Sequence, residues 1–165
     1  MNIFGYAMQM EKDGENYYRK LAKECNNVGL RGIFTMLADE EVKHYKVVEK
    51  LTKKDKTPQL AETNILENVK NIFIEMKDVK QDLHIDTSEE ADNYRKARDI
   101  EDMSQKFYLE KADQVEGEQA RQIFLQLAHE EERHLRIMEN IVEFVSRTEP
   151  GHWLENAEWT HLDEY

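Results

Sequence analysis

Displaced by ninety positions, this chain of 165 residues lies on itself without a gap, and that internal repeat restricts its fold more than any other feature. Ala7 falls on Ala97, Glu11 on Glu101 and Tyr18 on Tyr108; further along, Arg31, Ile33, Phe34, Leu37 and Ala38 fall on Arg121, Ile123, Phe124, Leu127 and Ala128. The segment "LADEEVKH" (37–44) meets "LAHEEERH" (127–134). Each half therefore carries one lone glutamate thirty residues ahead of a Glu-x-x-His pair. Two copies of one unit, paired face to face, generate a pseudo-two-fold axis. Identical polar residues on the inner face of each copy must converge on it.

The unit is a helical hairpin. Only two prolines and six glycines punctuate the chain, and apolar residues recur at three and four positions, the period of an amphipathic helix. The first stripe runs Phe4, Ala7, Met10, Gly14, Tyr17, Leu21, Cys25; the second runs from Leu30 through Ile33, Phe34, Leu37, Glu41, His44, Tyr45 and Val48 to Leu51 and stops in "KKDKTP". A shorter run, Ile65, Val69, Ile72, Phe73, Met76, belongs to a crossover connection. The third long helix follows the capping candidates Thr87 and Ser88, with the stripe Tyr94, Ala97, Glu101, Tyr108, Ala112, Val115. The fourth carries Ala120, Ile123, Phe124, Leu127, Glu131, His134, Met138, Ile141 and Val145 and closes before Pro150 and Gly151. The fold class is therefore all-α, a ferritin-like four-helix bundle over residues 1–147, with one long connection between its second and third helices. Residues 148–165 form a short C-terminal tail whose Trp153, Leu154, Trp159 and Leu162 suit packing on the bundle or on a second subunit.

The stripes also single out polar residues. By spacing to apolar neighbours, Glu11, Glu41, His44, Glu101, Glu131 and His134 all face inward, and no lysine or arginine shares their stripes. A buried, unpaired carboxylate costs several kcal/mol even after the protein relaxes, so four in one core require a strong counter-charge. Two divalent cations would neutralise four glutamates and two neutral histidines. Glu and His at i and i+3 share a helix face, about 5–6 Å apart at Cβ, close enough to ligate one shared site. In a two-metal centre, Glu41 and Glu131 suit bridging positions and Glu11 and Glu101 the outer ends. Such mixed ligation suits iron or manganese and also accepts zinc.

Composition narrows the classes further. The net charge of −12 argues against nucleic-acid binding, and no stretch has the apolar length of a membrane span or a signal peptide, so a cytoplasmic protein is expected. A single cysteine, Cys25, permits neither a disulfide nor a Cys-x-x-Cys metal site, and it reads as a small buried hydrophobe. Glu149 with His152 and Glu158 with His161 repeat the Glu-x-x-His pattern but lack partners in the repeat and read as chance matches. Glu40, Glu130 and His129 lie about a quarter-turn off the inward face and read as solvated or as outer partners of the ligands; His84 falls in a loop.

Around these positions, "MEKDGENYY", "DEEVKH", "IEDMSQKFY" and "HEEERH" resemble the rubrerythrin-like members of the ferritin-like di-iron superfamily over residues 1 to about 147. The constellation of one Glu from each of two helices and a Glu-x-x-His from each of the other two is the one described for ferritin-like di-iron proteins. The resemblance implies two iron ions reacting with hydrogen peroxide or dioxygen, and a homodimer, for which Ile100, Met103 and Phe107 are available. It makes Tyr18 and Tyr108, seven residues after the lone glutamates, tyrosines that hydrogen-bond the ligands. Two departures stand out. The chain lacks the Cys-rich rubredoxin domain of full rubrerythrins, so electrons would come from a separate rubredoxin-like or reductase partner. Ser104 also stands where rubrerythrins carry an additional glutamate. The resemblance leaves three activities: a peroxide- or dioxygen-reducing oxidoreductase, a ferroxidase or iron-binding protein acting on ferrous ion, and a bundle that its metals merely hold together.

Overall fold

The computed structural model describes residues 2–53, 60, 63–79 and 88–146, and of 76–79 and 88 only the backbone. Five helices follow in order: α1 (Ile3–Glu24), α2 (Val28–Thr52), α3 (Ile65–Val79), α4 (Ser88–Lys111) and α5 (Glu118–Val145). No strand occurs among the described residues. Helices α1, α2, α4 and α5 form the bundle, and α3 lies in the connection between its halves. The tail and its tryptophans, the unpaired Glu-x-x-His matches, His84 and Thr87 lie outside the described residues. None of the described helices is long and apolar enough to cross a membrane.

Local chemistry sets the helix ends. Asn2 caps α1 by accepting a hydrogen bond from the Gly5 amide at 2.8 Å, and Asn27 caps α2 through the Leu30 amide at 2.9 Å. The α1–α2 turn is thus three residues, Cys25 to Asn27, short enough to force the two helices antiparallel. It is braced by Arg31, whose Nη2 donates to the Cys25 carbonyl at 2.9 Å. The α4–α5 turn ends at Gly117, whose φ of 94° lies in the region open to glycine.

Each half is one such hairpin, α1 packed along α2 and α4 along α5. Apolar side chains fill the bundle in two clusters. One joins Leu21, Leu30, Phe34, Leu37, Ile137, Met138 and Ile141 and is covered by Ile65, Val69 and Phe73 of α3. The other joins Ala7, Val48, Tyr108, Ile123, Phe124 and Leu127. Between them every bundle helix changes from apolar to polar: α1 at Glu11, α2 at Glu41 and His44, α4 at Glu101, α5 at Glu131 and His134. A layer of buried charge divides the core.

Most of the stripe expected for α1 is buried, Ala7, Gly14, Leu21 and Cys25 with the inward Glu11, but two of its members give way to neighbours. Ala7, Glu11, Gly14, Tyr18, Leu21 and Ala22 are buried, while Met10 and Tyr17 are only half-buried. Tyr17 stays at the rim because its hydroxyl donates to the Asn93 carbonyl at 2.8 Å. Spacings of three and four leave two adjacent rows open to one apolar pattern, and the hairpin partner selects between them. Similarly, Val47 of α2 is buried where Tyr45 is only half-buried.

Because Leu37 is wholly buried in the larger cluster, Leu37→Ala should lower unfolding stability by about 2–5 kcal/mol, read as a reduced denaturant midpoint with the slope unchanged.

Candidate metal centre

All six inward polar residues meet in the layer between the two clusters. Glu11, Glu41, Glu101 and Glu131 are at most 4% exposed, and His44 and His134 are fully buried. Among the described residues, ion pairs to these four carboxylates come only from the two histidines. The arrangement obeys the pseudo-two-fold axis. His44 Nδ1 lies 2.9 Å from Glu131 and 3.5 Å from Glu11; His134 Nδ1 lies 3.1 Å from Glu41 and 3.6 Å from Glu101. The two imidazoles lie parallel, 8° between planes with centroids 5.4 Å apart.

The tyrosines cross between halves in the same manner. Tyr18 of α1 donates its hydroxyl hydrogen to Glu101 of α4, and Tyr108 of α4 donates to Glu11 of α1 at 2.5 Å. Each outer glutamate thus has one oxygen fixed by a phenol from the opposite hairpin. Glu11 Oε2 and Glu131 Oε2 are buried and make no hydrogen bond, and neither does His134 Nε2. Gly14 completes the cradle: a Cβ there would stand 3.0 Å from Glu41 Oε2, so glycine leaves room for that carboxylate. At the equivalent place in the other half sits Ser104, also buried.

Donor atoms that lie mutually within 4.8 Å form two groups of four: Glu11, Glu41, His44, Glu131, and Glu41, Glu101, Glu131, His134. Glu41 and Glu131 belong to both. Oxygen and imidazole donors at this separation fit a pair of divalent cations, and the carboxylate oxygens that make no hydrogen bond are the atoms such ions would engage.

Protons can hold the cage as well. Burial, then the charges of Glu11, Glu131 and Glu101, push the Glu41 carboxyl far up; burial, Glu11 and Glu101 do the same to Glu131. Burial also acts on Glu11, but the charge of the adjacent His44, the closeness of Glu41 and the hydrogen bond from Tyr108 outweigh it and hold that group at about 2. Against the same opposition from burial, Glu101 is lowered by Glu131, His134 and Tyr18. Burial disfavours both imidazolium ions, yet Glu11 and Glu131 raise His44 well above 6.5, and Glu101 and Glu131 do so for His134. These directions favour the carboxylate at Glu11 and Glu101, the carboxylic acid at Glu41 and Glu131 and the imidazolium at His44 and His134, a distribution with no net charge.

Glu40 and Glu130, expected off the inward face, are both buried. Glu130 reaches across the bundle to His44, its Oε2 2.5 Å from Nε2, so His44 has partners on both ring nitrogens. By symmetry Glu40 should do the same for His134. Instead it accepts the hydroxyl of Thr63, just ahead of α3, and lies 3.9 Å from Lys43 Nζ. The signal was available in sequence, since Glu40 and Glu130 stand four residues before His44 and His134 and repeat at ninety positions; their reach to the opposite helix was not. His129, by contrast, is exposed as expected.

Compared with protein-family models, the chain matches the Rubrerythrin model over residues 2–104 and again over 92–157, so the two matches begin ninety residues apart, the spacing of the repeat. Comparisons with curated proteins and with solved structures return no match.

Two outcomes follow from the charge balance. The raised histidine and glutamic acid groups contribute stability below their ordinary values that is lost as pH rises through their folded values, so the melting temperature of chelator-treated protein should fall as pH rises above 4.5 and more steeply above 6.5. Added divalent metal should reverse that slope, because the ligands must deprotonate to bind it. Loading two ions should release up to four protons, one from each of His44, His134, Glu41 and Glu131. Calorimetric heats of metal binding should accordingly vary with the buffer's ionisation enthalpy, and equal heats in all buffers would contradict the protonated cage. Glu130→Gln should weaken binding at one of the two positions by roughly 10- to 100-fold, visible as a second, shifted phase in a cobalt titration.

Proposed function

The chain belongs to the rubrerythrin family, and from that membership we propose that it is a di-iron oxidoreductase that reduces hydrogen peroxide or dioxygen. The observation that carries the reading is the sharing of Glu41 and Glu131 between the two four-donor groups, as bridging carboxylates of a dinuclear centre are shared. Glu11 and His44 would complete one position and Glu101 and His134 the other. Iron bound there supplies the redox chemistry that splits an O–O bond; manganese or zinc would suit the same donors. For peroxide the balance is H₂O₂ with two electrons and two protons giving two waters, the electrons delivered by a separate rubredoxin-like or reductase protein. A homodimer and a cytoplasmic setting accompany this reading.

The residues of the chain contribute orientation and protons. Tyr18 and Tyr108 each fix one oxygen of an outer glutamate, and the other oxygen of Glu11 lies 3.5 Å from His44 Nδ1. Their phenols are themselves held far above the ordinary range by burial and by the glutamates beside them, so they remain hydrogen-bond donors throughout the accessible pH range. Glu130 holds the His44 ring by its outer nitrogen and so fixes its orientation toward the carboxylates. The apolar clusters on both sides keep bulk water from the layer, which strengthens every electrostatic interaction within it.

A second reading has its own observation. Ser104 and Gly14 occupy equivalent places, so neither half adds a further carboxylate there, and the symmetric four-glutamate, two-histidine set suits ferrous ion as substrate in a ferroxidase or iron-binding role. Stopped-flow mixing of the di-ferrous protein with peroxide separates the readings. Reduction of peroxide predicts ferric absorbance faster than for free ferrous ion and repeated turnover with an electron donor; retention of ferric product without turnover favours iron handling. Oxidation no faster than in free solution would refute both. Glu131→Ala removes a donor from both groups and should bring bound metal below two per chain by elemental analysis, with the helical signal retained. If metals only brace the bundle, that variant would lower the melting temperature and leave oxidation unchanged.

A further inference from the structure

Rings run outward from the metal layer in both halves, and the two runs are related by the ninety-residue shift. In the first, Tyr18 stacks on Phe34 with centroids 6.4 Å apart, and Phe34 packs on Tyr94 at 5.1 Å. In the second, Tyr108 meets Phe124 at 5.1 Å and Phe124 meets Phe4 at 5.8 Å. Tyr18 corresponds to Tyr108, Phe34 to Phe124 and Tyr94 to Phe4. The shape of the run is repeated while the chemistry of its last ring is not: one half ends in an oxidisable phenol, the other in a phenyl group.

The surroundings of Tyr94 suit that chemistry. At neutral pH a phenol gives up an electron readily only if its proton has somewhere to go, and the Tyr94 hydroxyl donates to the Glu90 carboxylate. Cys25 Sγ lies 3.7 Å from the same oxygen. Tyr94 is itself buried, yet it lines a cleft of about 350 Å³ between the end of α1 and the start of α4, whose other walls include Glu24, Asn26, Glu89 and Glu90. Three carboxylates around such a cleft favour neutral or cationic visitors over anions.

We propose that Tyr18, Phe34 and Tyr94 form an electron path from this cleft to the metal layer, and that the cleft admits small cationic or neutral one-electron donors. The proposal rests on the peroxide-reducing reading for its oxidant. Each step moves one electron. Tyr94 gives up an electron, by way of Phe34 and Tyr18, to the peroxide being reduced at the metal layer, while its phenolic proton passes to Glu90. A donor molecule in the cleft then returns one electron to Tyr94 as Glu90 gives the proton back, leaving the donor as its one-electron-oxidised radical. Two donors so oxidised supply the two electrons that one peroxide consumes. The path acts beside a protein donor and gives the centre a small-molecule source of reductant.

The test loads the full chain with two ferrous ions, adds peroxide in excess of the one equivalent that the two ferrous ions reduce, so that the further equivalents draw on the donor, and follows three signals: ferric absorbance, the radical by rapid-freeze electron paramagnetic resonance, and oxidation of N,N,N′,N′-tetramethyl-p-phenylenediamine to its coloured radical cation. Wild type should give all three. Tyr94→Phe should retain ferric formation but lose the radical and the dye oxidation. Phe34→Leu, which keeps both phenols and interrupts the run, should do likewise. Ferric formation with no radical in the wild type, or dye oxidation undiminished in Tyr94→Phe, overturns the path and leaves the proposed function standing. The exposed Tyr6, stacked at 5.0 Å on Phe107 and through it on Tyr108, offers a competing exit; loss of the signals in Tyr6→Phe instead of Tyr94→Phe also overturns the proposal. Absence of accelerated ferric formation in wild type removes both readings together.

Discussion

Four glutamates share one buried layer with no lysine or arginine paired to them among the described residues, and the rest of the structure accommodates that fact. Isolated carboxylates in such a place would each cost several kcal/mol. Neutrality can be restored by two divalent ions, or by four protons distributed over Glu41, Glu131, His44 and His134. The two states carry the same net charge. Because the ligands must lose protons to bind metal, pH and metal concentration act on a single equilibrium.

The apolar clusters are arranged around this requirement. They lie on opposite sides of the layer, so that packing holds the helices at fixed separation where the polar residues themselves repel. The reciprocal bonds from Tyr18 to Glu101 and from Tyr108 to Glu11 tie the hairpins to one another at the same level. Cross-hairpin attachment comes from the polar layer as well as from the apolar packing.

Much of this was legible in the sequence because repetition and periodicity are local properties. The ninety-residue shift picked out Glu11, Glu41, His44 and their copies, and helical spacing turned all six inward. What escaped depends on contacts between helices that spacing within one helix does not encode. Tyr17 and Tyr18 differ by one position, and partners on other helices distinguish them, the Asn93 carbonyl for Tyr17 at the rim and Glu101 with Phe34 for Tyr18 in the interior. Glu40 and Glu130 lie off the inward face of their own helices, yet each is buried by elements far away in the chain, Glu130 by His44 and Glu40 by Thr63. The six central residues were readable as a pattern; their outer partners required the fold.

Thr63 belongs to the connection between the hairpins, the one described part of the chain without a counterpart in the repeat. A two-fold arrangement cannot by itself tell its two positions apart, and equivalent sites compete equally for whatever enters. Thr63, outside the repeat, bonds Glu40, whereas Glu130, the counterpart of Glu40, bonds His44. One histidine is left with an outer anchor and the other with a bare nitrogen. The segment that links the halves thereby makes the surroundings of the two histidines unequal.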